Sequence, residues 1–253
     1  MTAARARRAA KAVLHAIVVR RSDFRESSRI VTCLTREEGR VTGLAKGAHR
    51  PDSPFLGRID FLNEVSASFS ADRGGLRLLE RAALVRERRG LREPLRFLAA
   101  SHLAWLCELA MPEGRPEPAV FDLLVGGLNL LEKCPPHAVG RIVLGLEVRL
   151  LATLGALPDL DACTACGAAL DEAAWQHGDS LGLVCREHAP PPRTPVGAGV
   201  LALLRSLRDH AGRQWPDLPE PAPARIAAAL PAAWLAAATE QRSRLRPLLF
   251  DRC

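Results

Sequence analysis

Four metal-ligating side chains constrain this chain more than any other feature. Cys163 and Cys166 are followed, after eighteen residues, by Cys185 and His188, giving C-x2-C-x18-C-x2-H. Two short chelating pairs joined by such a loop are the spacing of a tetrahedral zinc site, because each two-residue gap lets a tight turn aim two ligands at one ion. Gly167, directly after the second cysteine, suits the sharp turn of a knuckle, and Gly178 and Gly182 mark turns inside the loop. A redox pair would need the C-x-x-C to open a helix after a strand. What precedes it, "LGALPDLDA", reads as a helix end and a loop. An empty, degraded site is the third reading. Four protein ligands close the coordination sphere, whereas catalytic zinc keeps a position for water. No H-E-x-x-H is present. The deaminase pattern is also missing: His177 is followed by Gly178 and Asp179, and Ala162 precedes Cys163. The expected cofactor is one structural Zn2+ ion, which staples a small module.

The 253 residues suffice for one large domain or several small ones. No apolar run approaches the roughly 20 residues that span a bilayer, and the basic start does not read as a secretory signal. Cys33, Cys107, Cys134 and Cys253 are scattered singly, which is no disulfide framework. A reducing cytoplasm fits thiolate ligation better. Net charge is +7, and it is unevenly spread. Residues 1–90 carry 19 Lys+Arg against 10 Asp+Glu, while residues 91–253 carry 16 against 18. Positive charge gathered in one predicted domain is the footprint of a polyanion partner.

The first third reads as short strands. "VLHAIVVRR" is followed by the turn-forming "SDFRESS"; "RIVTCLT" and "VTGLAKG" flank the turn "EEGR". "AHRPDSP" is a loop, "IDFLNEVSASFSA" a fourth strand, "DRGG" a hairpin turn and "LRLLERAALV" a fifth strand. Five short strands without room for crossover helices predict a small antiparallel barrel, for which the OB-fold is the common solution. From Glu93 the period becomes helical, in "EPLRFLAASHLAWLCELAM", "PAVFDLLVGGLNLLEK" and "HAVGRIVLGLEVRLLATLG". After a zinc segment and the linker "PPPRTP", helices resume in "VGAGVLALLRSLRDHAG" and "PAPARIAAALPAAWLAAATEQ". The expected class is multidomain α+β: a basic extension over 1–12, a five-stranded OB-fold over 13–90, and an α-helical domain over 91–253 with a zinc knuckle inserted at 159–189.

No catalytic pattern stands out. "GLAKGAHR" is not a P-loop, no G-x-S-x-G occurs, and His15, His102 and His137 read as isolated packed or surface histidines. The chain is not expected to be an enzyme. "LAKGAHRP" is more informative: Lys46 and Arg50 bracket Gly47 where a strand enters a loop, and loops beside the face of an OB barrel line its groove for single strands. Arg20, Arg21, Arg25, Arg29, Arg40 and Arg58 lie on neighbouring strands or loops and complete the candidate DNA-binding set. Phe24 and Phe55 are read as loop residues able to stack on bases, or equally as small core anchors. In the helical part, Arg141 and Arg149 stand in an apolar stretch. They would either rim a pocket for an acidic partner tail or pair with Glu147 and other helices.

These motifs, in this order, resemble the RecO family of bacterial recombination mediators. "DFRESSRIVTCLTREEGRVTGLAKGAHRP" resembles the family's D-Y-x-E-x-S-R, T-x-x-x-G and A-K-G-x-R-R. "GLEVRLLATLGALPDLDACTACG" resembles its F-E-L-R-L-L and P-x-L-x-x-C-x-x-C-G, and "EQRSRLRPL" its R-x-x-x-S-R. Phe24 replaces a usual tyrosine, His49 a usual arginine, and His188 a usual cysteine. The resemblance implies a non-catalytic protein that binds single- and double-stranded DNA and anneals complementary strands. It implies RecR and the acidic tail of single-strand binding protein as direct partners, RecA as an indirect one, and a site of action in the cytoplasm at the nucleoid, away from membranes. A structured-RNA binder built on the same barrel is the alternative. A zinc hydrolase fails on the closed ligand set.

Overall fold

A computed structural model describes residues 12–71, 76–171, 173–176, 182–191, 195–219 and 224–250. The basic extension, the "DRGG" turn and His177 to Gly178 therefore lie outside the described residues, apart from Ala12 at the extension's end.

Five strands form the first unit: β1 (Leu14–Phe24), β2 (Ser28–Thr35), β3 (Gly39–Ala45), β4 (Glu64–Phe69) and β5 (Arg77–Arg86). They close a barrel in the order β1-β2-β3-β5-β4, antiparallel throughout except for a short parallel β3–β5 contact. This is the strand order of an OB barrel. Alternation drives it: Gly39, Val41, Gly43 and Ala45 of β3 are buried while the residues between them are not. Val31, Cys33, Val65, Ala67, Phe69 and Leu79 fill the interior with them. Gly43 is small for a reason, since a β-carbon there would stand 2.7 Å from the Phe69 ring. Residues 111–121 pack with this unit rather than with the helices around them in sequence.

Three boundaries differ from the sequence reading. β1 runs on through Ser22 to Phe24, pairing Asp23 with Arg29 and Phe24 with Ser28, so "SDFRESS" is mostly strand and the turn is confined to residues 25–27. The ladder outweighs the turn propensity of Ser and Asp because register leaves each residue a partner. The fourth strand starts only at Glu64, because Asn63 closes a turn onto Asp60 and its side chain binds the carbonyls of Gly57 and Arg58. The linker "PPPRTP" ends in strand, at Pro195.

The second unit holds α1 (Pro94–Ala110), most of α2 (Pro118–Lys133), α3 (Val139–Thr153), α4 (Ala198–Asp209), α5 (Ala224–Thr239) and α6 (Arg246–Phe250). α3 is its centre and packs on α1, α4 and α5, with Ile142, Leu146, Leu150 and Leu151 buried. One cluster of polar groups inside this core is paired, although the buried Trp234 indole N–H has no partner among the described residues. Glu147, 1% exposed, accepts from His102 Nε2 at 2.8 Å and from Arg246 Nε and Nη2 at 2.7 Å each. His102 Nδ1 lies 2.9 Å from Ser243 Oγ. Burial alone would raise the Glu147 carboxyl, but these bonds outweigh it and hold it below the ordinary value. Two of the three histidines read from sequence as isolated are not: His102 meets Glu147, and His15 in the barrel unit meets Glu64 at 2.7 Å. Their partners lie far off in sequence, beyond the reach of local spacing. A three-stranded sheet, β7 (Leu183–Val184), β6 (Ala173–Gln176) and β8 (Pro195–Gly197), carries the Cys/His segment.

Candidate metal centre and nucleic-acid interface

Cys163 and Cys166 occupy a tight turn in which the Gly167 N–H donates to the Cys163 carbonyl at 2.8 Å. Gly167 has φ of 75°, a left-handed conformation that favours glycine. Cys185 and His188 flank a second turn, where the His188 N–H reaches the Cys185 carbonyl at 3.2 Å. Thr164 ties the two turns together, its N–H and hydroxyl both donating to the Leu183 carbonyl at 3.0 and 3.1 Å.

The four ligand atoms lie within 4.8 Å of one another. Cys166 Sγ and Cys185 Sγ are 3.9 Å apart, and Cys185 Sγ is 3.3 Å from His188 Nδ1. A tetrahedral ion with Zn–S bonds of about 2.3 Å holds its sulfurs about 3.8 Å apart, so three thiols and one imidazole stand where one ion could be bound. The peptide groups favour the thiolate form at two of the three cysteines. At Cys166 the Ala168 N–H lowers the thiol, but the neighbouring Cys163 and Cys185 thiols outweigh it and hold it above its ordinary value. N–H groups of His188 and Glu187 hold the Cys185 thiol below its ordinary value. At Cys163 burial raises the thiol, but N–H groups of Cys185, Ala165 and Cys166 outweigh it. Cys33 and Cys107 are the opposite case, pushed up to about 12 by burial with nothing to offset it, which makes them inert core residues.

Sequence reading missed how the knuckle is fastened. Arg205 of α4 donates to the carbonyls of Leu160 and Leu170 at 2.7 and 2.9 Å. Arg205 and Arg208 also pair with Asp161 at 2.8 and 2.6 Å. The i, i+3 spacing of the two arginines on one helix face was visible; their target was not.

The barrel unit gathers a cationic cluster at one end. The loop after β3 clasps the β1–β2 turn: the His49 N–H donates to the Ser27 carbonyl at 3.0 Å, and the Gly47 N–H to Ser28 Oγ at 3.4 Å. Gly47 is left-handed, with φ of 69°, and Arg50 folds back over it. Lys46, Arg50, Arg25 and Arg29 thereby come together. His49, passed over as a cation site, joins them, and so does Asp23, whose carboxylate sits 3.0 Å from His49 Nε2 and 3.1 Å from Arg29 Nε. Arg29 in particular holds the Asp23 carboxyl below its ordinary value. Lys46 and Arg50 are exposed, and their side chains have no hydrogen-bond or ion-pair partner among the described residues. Arg25, exposed at a left-handed φ of 55°, lies 5.3 Å above the Phe24 ring.

The other sequence candidates are dispersed. Arg40 pairs with Leu34 across the β2–β3 ladder, at the opposite end of β3 from Lys46, roughly 20 Å away at about 3.3 Å per residue. Arg20 and Arg21 sit within β1, opposite Thr32 and Val31, and Arg21 is paired with Asp60. Arg58 donates one N–H to the Ala82 carbonyl at 3.2 Å. Phe24 is the last residue of β1 and half-buried. Phe55 is a correction: at 5% exposure it belongs to the barrel core with Ile59 and Ala48, so its ring cannot meet a base. The segment between β3 and β4 must cover the barrel end, so Phe55, Ile59 and Leu62 turn inward while Leu56 stays exposed. Arg141 and Arg149 are engaged by the chain itself, and neither lines a described pocket. Arg141 donates to the Pro216 carbonyl at 2.5 Å and Arg149 to the His210 carbonyl at 2.6 Å, with Arg149 also stacked over Trp215.

No helix is long and apolar enough, among the described residues, to cross a membrane. The family model for the N-terminal part of recombination protein O matches residues 11–88, and that for its C-terminal part matches residues 91–228. Proteins named DNA repair protein RecO are similar in sequence. That of Anaeromyxobacter dehalogenans strain 2CP-1 is 35% identical over 79% of this chain and 80% of its own length. That of Rhodopirellula baltica is 33% identical over 81% and 76%, and that of Bacillus pumilus 30% identical over 75% and 73%. A closed five-stranded barrel, a helical unit with a Cys/His cluster, and two matched halves covering most of the chain place it in the RecO family of DNA repair proteins.

Proposed function

We propose that this chain is a recombination mediator that binds single- and double-stranded DNA, anneals complementary strands and, with RecR, helps load RecA onto single strands covered by single-strand binding protein. The observation that carries the reading is the exposed group Lys46, Arg50 and Arg25, set around two clasped turns at one end of the barrel. Lys46 and Arg50 are not neutralised by any described carboxylate. Phosphates supply most of the affinity for single strands and carry no sequence information, which suits a protein that must act anywhere. Arg29, fixed by Asp23, positions the edge of this surface, and Phe24 offers a ring for stacking once Arg25 lifts from it. Arg20, Arg21, Arg40 and Arg58 would extend the field along the barrel. Annealing then needs only that cations screen two phosphate backbones while bases find their complements; no bond is made and no catalytic group is required.

The division of labour follows the sequence domains. Residues 13–90 carry DNA and RecR, residues 91–253 carry the acidic tail of single-strand binding protein, and the 159–189 module holds one structural zinc ion through Cys163, Cys166, Cys185 and His188. The protein would act in the cytoplasm, at the nucleoid. Lys46→Glu with Arg50→Glu tests the reading. Single-strand affinity and annealing should fall together, roughly ten- to a hundredfold at moderate salt, and the log–log salt slope should flatten by about 1.4, at about 0.7 per phosphate contact. Unchanged binding by a folded double mutant would move the DNA surface elsewhere.

A further inference from the structure

An open groove of about 630 Å3 lies in the helical unit between α1 and α5. The half-buried Trp105 forms one wall and the alanine face of α5, with Ala232, Ala233 and Ala236, forms another. His102 and Ser243, bonded to each other and anchored through Glu147, contribute polar groups to the lining. Trp105 stacks against His102, centroids 6.2 Å apart, so its ring is held in place. At the rim, the Gln241 amide and the Arg242 guanidinium have no side-chain partner among the described residues. Arg244, two residues on, is likewise exposed and unpartnered. Glu240 is the one acidic residue exposed in the lining.

We infer that this groove is a second single-strand site, which takes a nucleobase against the Trp105 indole and sets Arg242 and Arg244 on the flanking phosphates. The inference rests on the annealing reading above: two strands must be held at once to be paired, and the Lys46–Arg50 cluster accounts for one. A ring fixed beside a smooth alanine surface suits a planar partner, and stacking tolerates every base. Two cations against one carboxylate favour a polyanion. The Gln241 amide offers what a base edge can pair with; an apolar peptide side chain in the same slot would leave it to water.

The test uses the full chain and short oligodeoxythymidylate of about eight nucleotides, within the length one small site covers, with binding followed calorimetrically and annealing measured in parallel. Two oligonucleotides per chain are expected for the native protein. Trp105→Ala, and separately Arg242→Glu with Arg244→Glu, should each leave one, with annealing roughly tenfold slower. The charge variant guards against any disturbance of the His102 contacts by the first, because both arginines are exposed. Saturation of the native chain at one oligonucleotide overturns the inference, as does retention of two by both groove variants. Loss of binding to an acidic peptide ending in apolar residues, with both oligonucleotides kept, assigns the groove to a peptide instead. If Lys46→Glu with Arg50→Glu leaves two sites while the groove variants remove one, it is the barrel reading that fails.

Discussion

Two sets of cations, one in the helical unit and one at the barrel end, are used in opposite ways. In the helical unit five guanidinium groups bind the chain itself, while Arg242 and Arg244 stay exposed. Arg96 donates to the carbonyls of Glu132 and Cys134, Arg141 to Pro216, Arg149 to Leu207 and His210, Arg205 to Leu160 and Leu170. Arg246 closes on buried Glu147. In the barrel unit Lys46, Arg50 and Arg25 face outward, and their charge is left for something outside the chain. The five donors of a planar guanidinium explain the first use, since one side chain can satisfy several carbonyls at helix ends and turns. The lesson is that counting cations locates a polyanion partner less well than asking which cations are already engaged.

The comparison breaks most visibly at Glu147. Glu147→Gln leaves the half-buried Arg246 guanidinium without its counter-charge and should destabilise the protein by about 3–5 kcal/mol, read from denaturant unfolding. The wild-type carboxyl is depressed below its ordinary 4.5. Its contribution is therefore complete above that pH and lost as pH falls through the lower folded value. Stability of the wild type should decline across that acid window and that of Glu147→Gln should not share the decline. Reversing Lys46 and Arg50, by contrast, should leave unfolding unchanged within about 0.5 kcal/mol.

Phe55 and Phe24 sharpen the contrast within the barrel unit. Phe55→Ala should cost about 3–5 kcal/mol by emptying core volume, whereas Phe24→Ala should cost far less stability and act on single-strand affinity, by about 1–3 kcal/mol per base stacked. If the two exchange roles, the loop assignment is wrong. A modest global effect should come from the knuckle. Freshly purified protein should hold one zinc per chain, and Cys163→Ser should lose it, lowering the melting temperature by a few degrees with DNA affinity nearly intact. Metal analysis finding no zinc in unchelated native protein would remove the ion from the assignment.

Alternation and period made most elements legible. α2 is found at the residues its proline and lysine delimit, Pro118–Lys133, and β2 and β3 stand within two residues of their sequence spans. The chelating spacing brought Cys163, Cys166, Cys185 and His188 to one point because local turns alone aim each pair. These are properties of short segments, fixed by side-chain alternation and turn chemistry, and the chain states them without help.

What the sequence could not state was which partner each polar group would take. Nothing within a few residues of Asp23 announces His49, and nothing near Glu147 announces His102 and Arg246, because these contacts span from 26 to 99 positions and exist only after the elements pack. The same applies to Phe55, whose burial is decided by the barrel it closes, and to Arg141 and Arg149, whose carbonyl partners belong to a segment folded back over α3. Charge and apolarity are written residue by residue, so composition and period could be read directly. Whether a charge is satisfied or left exposed depends on desolvation and distance, and those are set only when the chain closes on itself.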